Sequence, residues 1–274
     1  MRTSLLRASL VLALASLVAG IATAQTAEPD RYVVVTYLKT LPGQDEAYRA
    51  HVTSVSKNVY KEMMAANSNL LAWSIARTMY QGLEHAGEYD YVAAAVFSGS
   101  LPEPGANTDA MIQKATGMSQ ADYQKKLATM RTVAGTEVLV RRAGTGGTGT
   151  FKEGDIRVVA RSKVTPGMFD EYFEMAKTMS QPMMLGRVTG GEIKGWSLWS
   201  RVFPAGAATT YDVMGVTYYK DLASAIKGPD ATKGPEIFAK AHPGKNYGTY
   251  VNNLRDYTQL QDRSIMQVIA LVER

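Results

Sequence analysis

Lys39–Tyr48 reads KTLPGQDEAY, and Lys163–Tyr172 repeats the phrase as KVTPGMFDEY. Each copy follows a run rich in β-branched residues, which is typical of a strand. In each copy the proline presets φ and the glycine tolerates a positive φ, as a tight turn requires. The acidic residues that come next favour the positive end of a starting helix. The phrase therefore predicts the same strand–turn–helix unit twice in one chain.

The other segments of the two halves also correspond. LAWSIARTMY (71–80) matches KGWSLWSRVF (194–203), and YDYVAAAVF (89–97) matches YDVMGVTYY (211–219). A helical stretch then follows in each half, at 108–131 and at 235–260. Each half ends with a predicted closing strand, which begins at 136 in the first half and at 264 in the second. The first two pairs predict the arms of one β-hairpin in each half. Each half therefore reads βαββαβ, which predicts an α+β protein built from two tandem ferredoxin-like repeats.

A segment rich in glycine and threonine separates the two repeats. Residues 143–150 read AGTGGTGT. This composition cannot bury apolar surface and is typical of a flexible linker. The first repeat is therefore predicted to span 25–142 and the second 151–274.

The N-terminus has the pattern of a bacterial secretory signal. A basic segment, MRTSLLR, precedes an apolar run from Ala8 to Val18, and Ala22-Thr23-Ala24 supplies a small-x-small cleavage site. We therefore expect residues 1–24 to be a signal peptide that is cleaved before Gln25. The mature protein is expected in the periplasm or the medium.

Composition excludes several classes of function. The chain of 274 residues is 46% hydrophobic and 20% charged, which is a globular composition. Two of the charges behind its formal net charge of +5 belong to Arg2 and Arg7, and no basic run follows, so we expect no nucleic-acid partner. The sequence after residue 24 has no second long apolar stretch that would predict a membrane span. The absence of cysteine excludes disulfides, thiolate metal sites and cysteine nucleophiles.

Both faces of the predicted strands are apolar. In the first strand Val33 and Val35 alternate with Val34 and Leu38. A sheet covered by helices on one side only would show a polar second face. The simplest cover for the second face is the sheet of the other repeat, packed face to face. The chain is therefore predicted to form an intrachain pseudo-dimer that needs no partner for closure, with further oligomerisation left open.

Two βαββαβ repeats with Pro-Gly after the first strand resemble the dimeric α+β barrel superfamily. This superfamily includes antibiotic-biosynthesis-monooxygenase-like, EthD-like and NIPSNAP-like domains, and tandem haem proteins similar to chlorite dismutase. The resemblance covers nearly all of the chain after residue 24. It implies a single-chain dimeric α+β barrel, and it implies little about the reaction because function varies widely across this fold.

Three histidines, His51, His85 and His242, are the candidates for metal or haem ligands. They form no His-x-x-x-His pair, so we expect no metal site. The resemblance to tandem haem proteins implies an axial histidine in the second repeat, where KAHPGKNY contains His242. A solvent-exposed histidine before a helix break at Pro243 accounts for the same pattern. We therefore predict no cofactor, with haem as the alternative.

Six further residues are candidates for lining a ligand pocket: Trp73, Arg77, Tyr89, Trp196, Arg201 and Tyr211. The two tryptophans begin matching strands and would form a pocket wall with the tyrosines, although core aromatics follow the same pattern. When the tryptophans are aligned, Arg77 falls opposite Ser200. A one-residue offset points a strand side chain to the other face, so only one of the two arginines is expected to face the pocket.

The sequence contains no serine elbow, phosphate-binding loop or dinucleotide fingerprint. Three functional hypotheses follow. The first is a non-catalytic protein that binds a small apolar or aromatic molecule. The second, which the resemblance implies, is a cofactor-independent monooxygenase-like enzyme with an apolar substrate cavity. The third is a haem-binding protein that uses His242.

Overall fold

The computed structural model describes residues 30–82, 87–103, 108–146, 151–206 and 209–274. The predicted signal peptide, His85 and residues 147–150 of the predicted linker lie outside the described residues. Within the described ranges, no helix is both long enough and apolar enough to cross a membrane.

The described residues form two copies of the predicted βαββαβ unit. The strands are β1 (Arg31–Thr40), β2 (Leu70–Tyr80), β3 (Tyr91–Ser98), β4 (Arg131–Gly144), β5 (Ile156–Val164), β6 (Gly195–Phe203), β7 (Val213–Tyr219) and β8 (Thr258–Glu273). The helices are α1 (Asp45–His51), α2 (Lys57–Ala66), α3 (Asp109–Thr116), α4 (Gln120–Ala128), α5 (Phe169–Met175), α6 (Gln181–Thr189), α7 (Leu222–Lys227), α8 (Gly234–Ala241) and α9 (Tyr247–Tyr257). A π-helical turn joins α1 to α2 (Val52–Ser56) and α5 to α6 (Ala176–Ser180), so even this irregularity recurs in the same register.

The Pro-Gly phrase forms the turn between the first strand and the first helix of each repeat. The N–H of Gln44 donates to the carbonyl of Leu41 at 3.0 Å, and the second repeat has the equivalent bond. Gly43 and Gly167 have φ values of 75° and 84°. Residues with a side chain rarely adopt such values, which explains why glycine recurs at this point.

The eight strands close into one barrel with the order β1-β3-β2-β8-β5-β7-β6-β4. The first repeat contributes β4-β1-β3-β2, and the second contributes β6-β7-β5-β8. The repeats join through antiparallel pairing of β2 with β8 and of β4 with β6. This closure confirms the predicted fold, a single-chain dimeric α+β barrel.

The two faces of each strand enter different cores. Val33 and Val35 point into the barrel, where they pack with side chains of the second repeat such as Val159 and Met214. Leu38 points outward and packs with the helices of the first repeat. Each sheet is therefore covered by its own helices on one face and by the other repeat on the opposite face.

The closing strands begin earlier than the sequence predicts. Strands were expected from 136 and 264, but β4 begins at Arg131 and β8 at Thr258. Their first residues pair with the ends of distant strands, since Thr132 lies opposite Lys39 and the start of β8 pairs with the end of β5 in the same way. Such pairing leaves no local pattern in the sequence. The short helix α7, which the first repeat lacks among its described residues, was also not predicted.

Candidate functional site

The barrel contains a cavity between its two half-sheets. The cavity volume is about 150 Å³, and an apolar cavity of about this size can hold one benzene molecule. Most of its wall is aliphatic or aromatic and includes Val33, Val35, Val92, Ala94, Val96, Val159, Trp199, Met214, Val216 and Met266. The charged residues in the wall are Arg31, Arg141, Arg157, Arg161 and Glu273.

A buried hydrogen-bond network lies at one end of this cavity. The hydroxyl of Tyr37 donates to Oε2 of Glu137 at 2.8 Å, and the hydroxyl of Tyr211 donates to the same oxygen. Nη1 of Arg201 donates to Oε1 of Glu137 at 3.1 Å. Burial, the largest cause, raises the pKa of both tyrosines. Both phenols therefore stay protonated at neutral pH and can donate to the carboxylate.

Arg161 connects this network to the opposite wall. Its Nη1 donates to Oδ2 of Asp262 at 2.8 Å, and both side chains are only 3% exposed. Its Nη2 donates to the hydroxyls of Tyr37 at 3.3 Å and Tyr89 at 3.2 Å. Tyr37 and Arg161 line the cavity and also a second space of about 500 Å³. These two side chains therefore form a polar partition between the two spaces.

Arg157 lies in the cavity wall away from this network. The residue is 9% exposed. Its Nη2 donates to Oγ of Ser74 at 2.7 Å, and its Cζ lies 5.3 Å from the ring centroid of Tyr218. Its Nε is buried and has no hydrogen-bond partner. This guanidinium therefore has an unused donor.

Four of the predicted pocket residues reach the barrel interior or its edge. Tyr89 and Tyr211 line the second space, and Arg201 contacts Tyr211 and Glu137. Trp196, which is half-buried, lines the cavity. Arg77 points away from the barrel interior and pairs with Asp45 of α1 at 3.3 Å, with both side chains 46% exposed.

Trp73 lies between the helices and the sheet, His242 lies at the end of α8, and neither lines a barrel space. The ring of Trp73 stacks on Tyr60 with centroids 4.3 Å apart. His242 is buried, at 8% exposure, where the sequence suggested a solvent-exposed residue. Its Nε2 lies 2.9 Å from the carbonyl oxygen of Met179, and its ring packs on Phe238. In this arrangement His242 does not fit an axial haem ligand, because that nitrogen is already engaged.

The helix-facing core of the first repeat holds three buried polar atoms without hydrogen-bond partners: Nε2 of His51, Nε1 of Trp73 and Nε of Arg131. Burial, reinforced by Lys126 and Arg131, lowers the pKa of His51 to about 4. Its imidazole is therefore neutral at neutral pH. The position 124 residues later is Met175, so the histidine has no counterpart in the second repeat. Among the residues that the structure describes, no group of three or more His, Asp or Glu could hold a metal ion.

Four interior residues were not identified from the sequence: Tyr37, Glu137, Arg157 and Arg161. The strand β5 carries a usable signal, because Arg157, Val159 and Arg161 alternate along it and must share one face. Glu137 has no comparable signal. Its two tyrosine partners lie 100 and 74 residues away in the sequence.

The substitution Asp262→Ala should strongly destabilise the protein, because it leaves Arg161 charged, buried and unpaired. We expect the free energy of unfolding, measured by urea denaturation, to fall by roughly 3–5 kcal/mol. The control is Glu236→Ala, which breaks the exposed pair between Glu236 and Lys240 and should change little. Equal effects of the two substitutions would contradict a structural role for the buried pair.

Comparison with protein-family models and with curated proteins gives no match. Among solved structures, the chain is similar to a candidate monooxygenase from Fusobacterium nucleatum subsp. nucleatum (10% identity, TM-score 0.55, 90% of this chain and 96% of that chain covered). It is also similar to a candidate monooxygenase from Lactobacillus acidophilus (9%, 0.53, 90% and 97%) and to an anthrone oxidase-like protein (9%, 0.50, 90% and 94%). At these identities the similarity shows the fold alone. The chain therefore has the fold of the dimeric α+β barrel proteins.

Proposed function

We propose that the protein binds a small apolar or aromatic molecule in the barrel cavity. The observation that supports this function is a cavity of about 150 Å³ with a mostly apolar wall. Protein interiors are close-packed and contain few voids larger than a water molecule. A cavity with an apolar wall and a few polar groups is typical of a small-molecule site. The polar partition formed by Tyr37 and Arg161 supplies such groups at one end.

A second candidate function is the cofactor-independent oxidation of an aromatic substrate. The similar structures described as monooxygenases and as anthrone oxidase-like suggest it. In this chain it is supported by the mostly apolar cavity, whose wall can pack against an aromatic ring. Haem binding by His242, the third alternative, is less well supported, because its Nε2 contacts the carbonyl of Met179.

We also propose that the protein acts in the periplasm or outside the cell. The basic MRTSLLR segment, the apolar run after it and Ala22-Thr23-Ala24 support export and cleavage. The intact mass of the protein recovered from its host should correspond to a chain that begins at Gln25. A mass that includes residues 1–24 would contradict cleavage.

Ligand binding in the cavity can be tested with toluene, a small neutral aromatic compound. Toluene should raise the Tm and change the fluorescence of Trp199, which lines the cavity. The substitution Val216→Phe should fill part of the cavity and weaken toluene binding at least about tenfold, since it removes the space for the ring. The matched control is Val133→Phe, because Val133 is 52% exposed and does not line the cavity. Toluene binding that Val216→Phe leaves unchanged would place the ligand elsewhere, and absent binding would contradict the function.

Oxidation can be tested with hydroquinone, a single-ring compound close to benzene in size, which reacts with one molecule of oxygen to give benzoquinone and hydrogen peroxide. The protein should accelerate benzoquinone formation above the rate in buffer. The substitution Val216→Phe should slow the reaction at least about tenfold, since it removes the space for the ring. Arg77→Gln, on the outside of the barrel, is the control and should leave the rate unchanged. A rate no higher than in buffer would exclude hydroquinone as a substrate and remove the support for this function.

A further inference from the structure

Arg157 has no carboxylate partner, which distinguishes it from other buried arginines of the described chain. Three such arginines each pair with a carboxylate: Arg161 with Asp262, Arg187 with Glu192 and Arg201 with Glu137. No described carboxylate forms an ion pair with Arg157. It contacts the hydroxyl of Ser74 and the ring of Tyr218. Within the part of the chain that the structure describes, no carboxylate therefore compensates the positive charge of Arg157.

An uncompensated buried charge is unfavourable for folding. Moving a cation out of water has a large free-energy cost that neutral hydrogen-bond partners offset only in part. The Nε of Arg157 lacks even a neutral partner. Residues that lower stability without a structural benefit are commonly kept for function. An anion bound beside Arg157 would supply the missing charge and accept a hydrogen bond.

The cavity wall around Arg157 favours an anion over a cation. Four arginines line the cavity against one glutamate, Glu273. Positive charge in a low-dielectric cleft attracts negative ligands. Arg161 is already paired with Asp262. Arg157 lies in the same wall, and its buried Nε donates no hydrogen bond. The remaining wall is mostly apolar, so it suits a ligand with one anionic group on an apolar body.

The repeat register indicates a single anionic group. Lys39 and Lys163 mark an offset of 124 residues, and the same offset relates Arg157 to Val33. Both residues line the cavity. The cavity therefore presents a guanidinium from the second repeat and an isopropyl group from the equivalent position of the first. This pairing suits a monoanion better than a dianion.

We propose that the cavity binds a small monocarboxylate, with one aromatic ring or a short aliphatic chain, whose carboxylate pairs with Arg157. A guanidinium forms its strongest hydrogen bonds with planar carboxylates, to which it can donate from two nitrogens. This inference rests on the proposed binding function and adds the chemical class of the ligand. The apolar part of the ligand packs against the aliphatic wall that includes Val33 and Val216.

The test compares benzoate with benzamide, a neutral molecule of nearly the same shape, by isothermal titration calorimetry. The wild-type protein should bind benzoate at least about tenfold more tightly than benzamide. Arg157→Gln should abolish this preference. Arg77→Gln, which removes an exposed arginine outside the barrel, is the matched control and should keep the preference. Ligand-free Arg157→Gln should be at least as stable as the wild type, because the substitution removes an unpaired buried charge.

The outcomes separate this inference from the proposed function. Equal affinity of the wild type for benzoate and benzamide, with toluene still bound, overturns the carboxylate and keeps the cavity as a ligand site. Binding of none of the three compounds overturns the proposed function itself. A benzoate preference that persists in Arg157→Gln overturns the role of Arg157. A large loss of stability in ligand-free Arg157→Gln would show a structural role instead, and would also overturn the inference.

Discussion

Backbone pairing between the two repeats is the constraint on which the rest of the structure depends. A half-sheet of four strands leaves two edge strands with unpaired N–H and C=O groups, and such edges promote aggregation. Here β2 pairs with β8 and β4 with β6, so each strand of the barrel has two neighbours. The same closure covers the apolar inner face of both half-sheets. The cavity and its polar end exist because four strands of each repeat face the other four.

Closure also determines which charges can remain inside. The side chains of Arg161 and Arg201 are buried, and each is compensated by a carboxylate on a different strand. Glu137 in turn accepts hydrogen bonds from two tyrosines. These residues come from strands of both repeats, so neither repeat alone could assemble the network. Buried ion pairs add little net stability when compared with apolar packing, but removing one partner is costly. The network thus makes the polar end sensitive to single substitutions.

The sequence predicts what is local or repeated, and it misses what depends on distant pairing. The Pro-Gly turn, the hairpins and the apolar strand faces were enough to predict two repeats packed face to face, because each follows from neighbouring residues, and the resemblance to a known superfamily implied the barrel. The early start of β8 and the hydrogen bonds of Glu137 depend on partners far along the chain. The burial of His242 was missed for a similar reason, since its contact with Met179 spans 63 residues.

The fusion of two repeats into one chain frees the barrel from two-fold symmetry. In a homodimer of one repeat, any residue on the inner wall would occur twice, so an arginine at the position of Arg157 would face the same cavity from both subunits. Two like charges would then share one small space. In this chain Val33 occupies the equivalent position. The two sides of the cavity consequently differ in chemistry. A bound molecule can therefore take one preferred orientation, whereas a symmetric barrel would offer two equivalent ones.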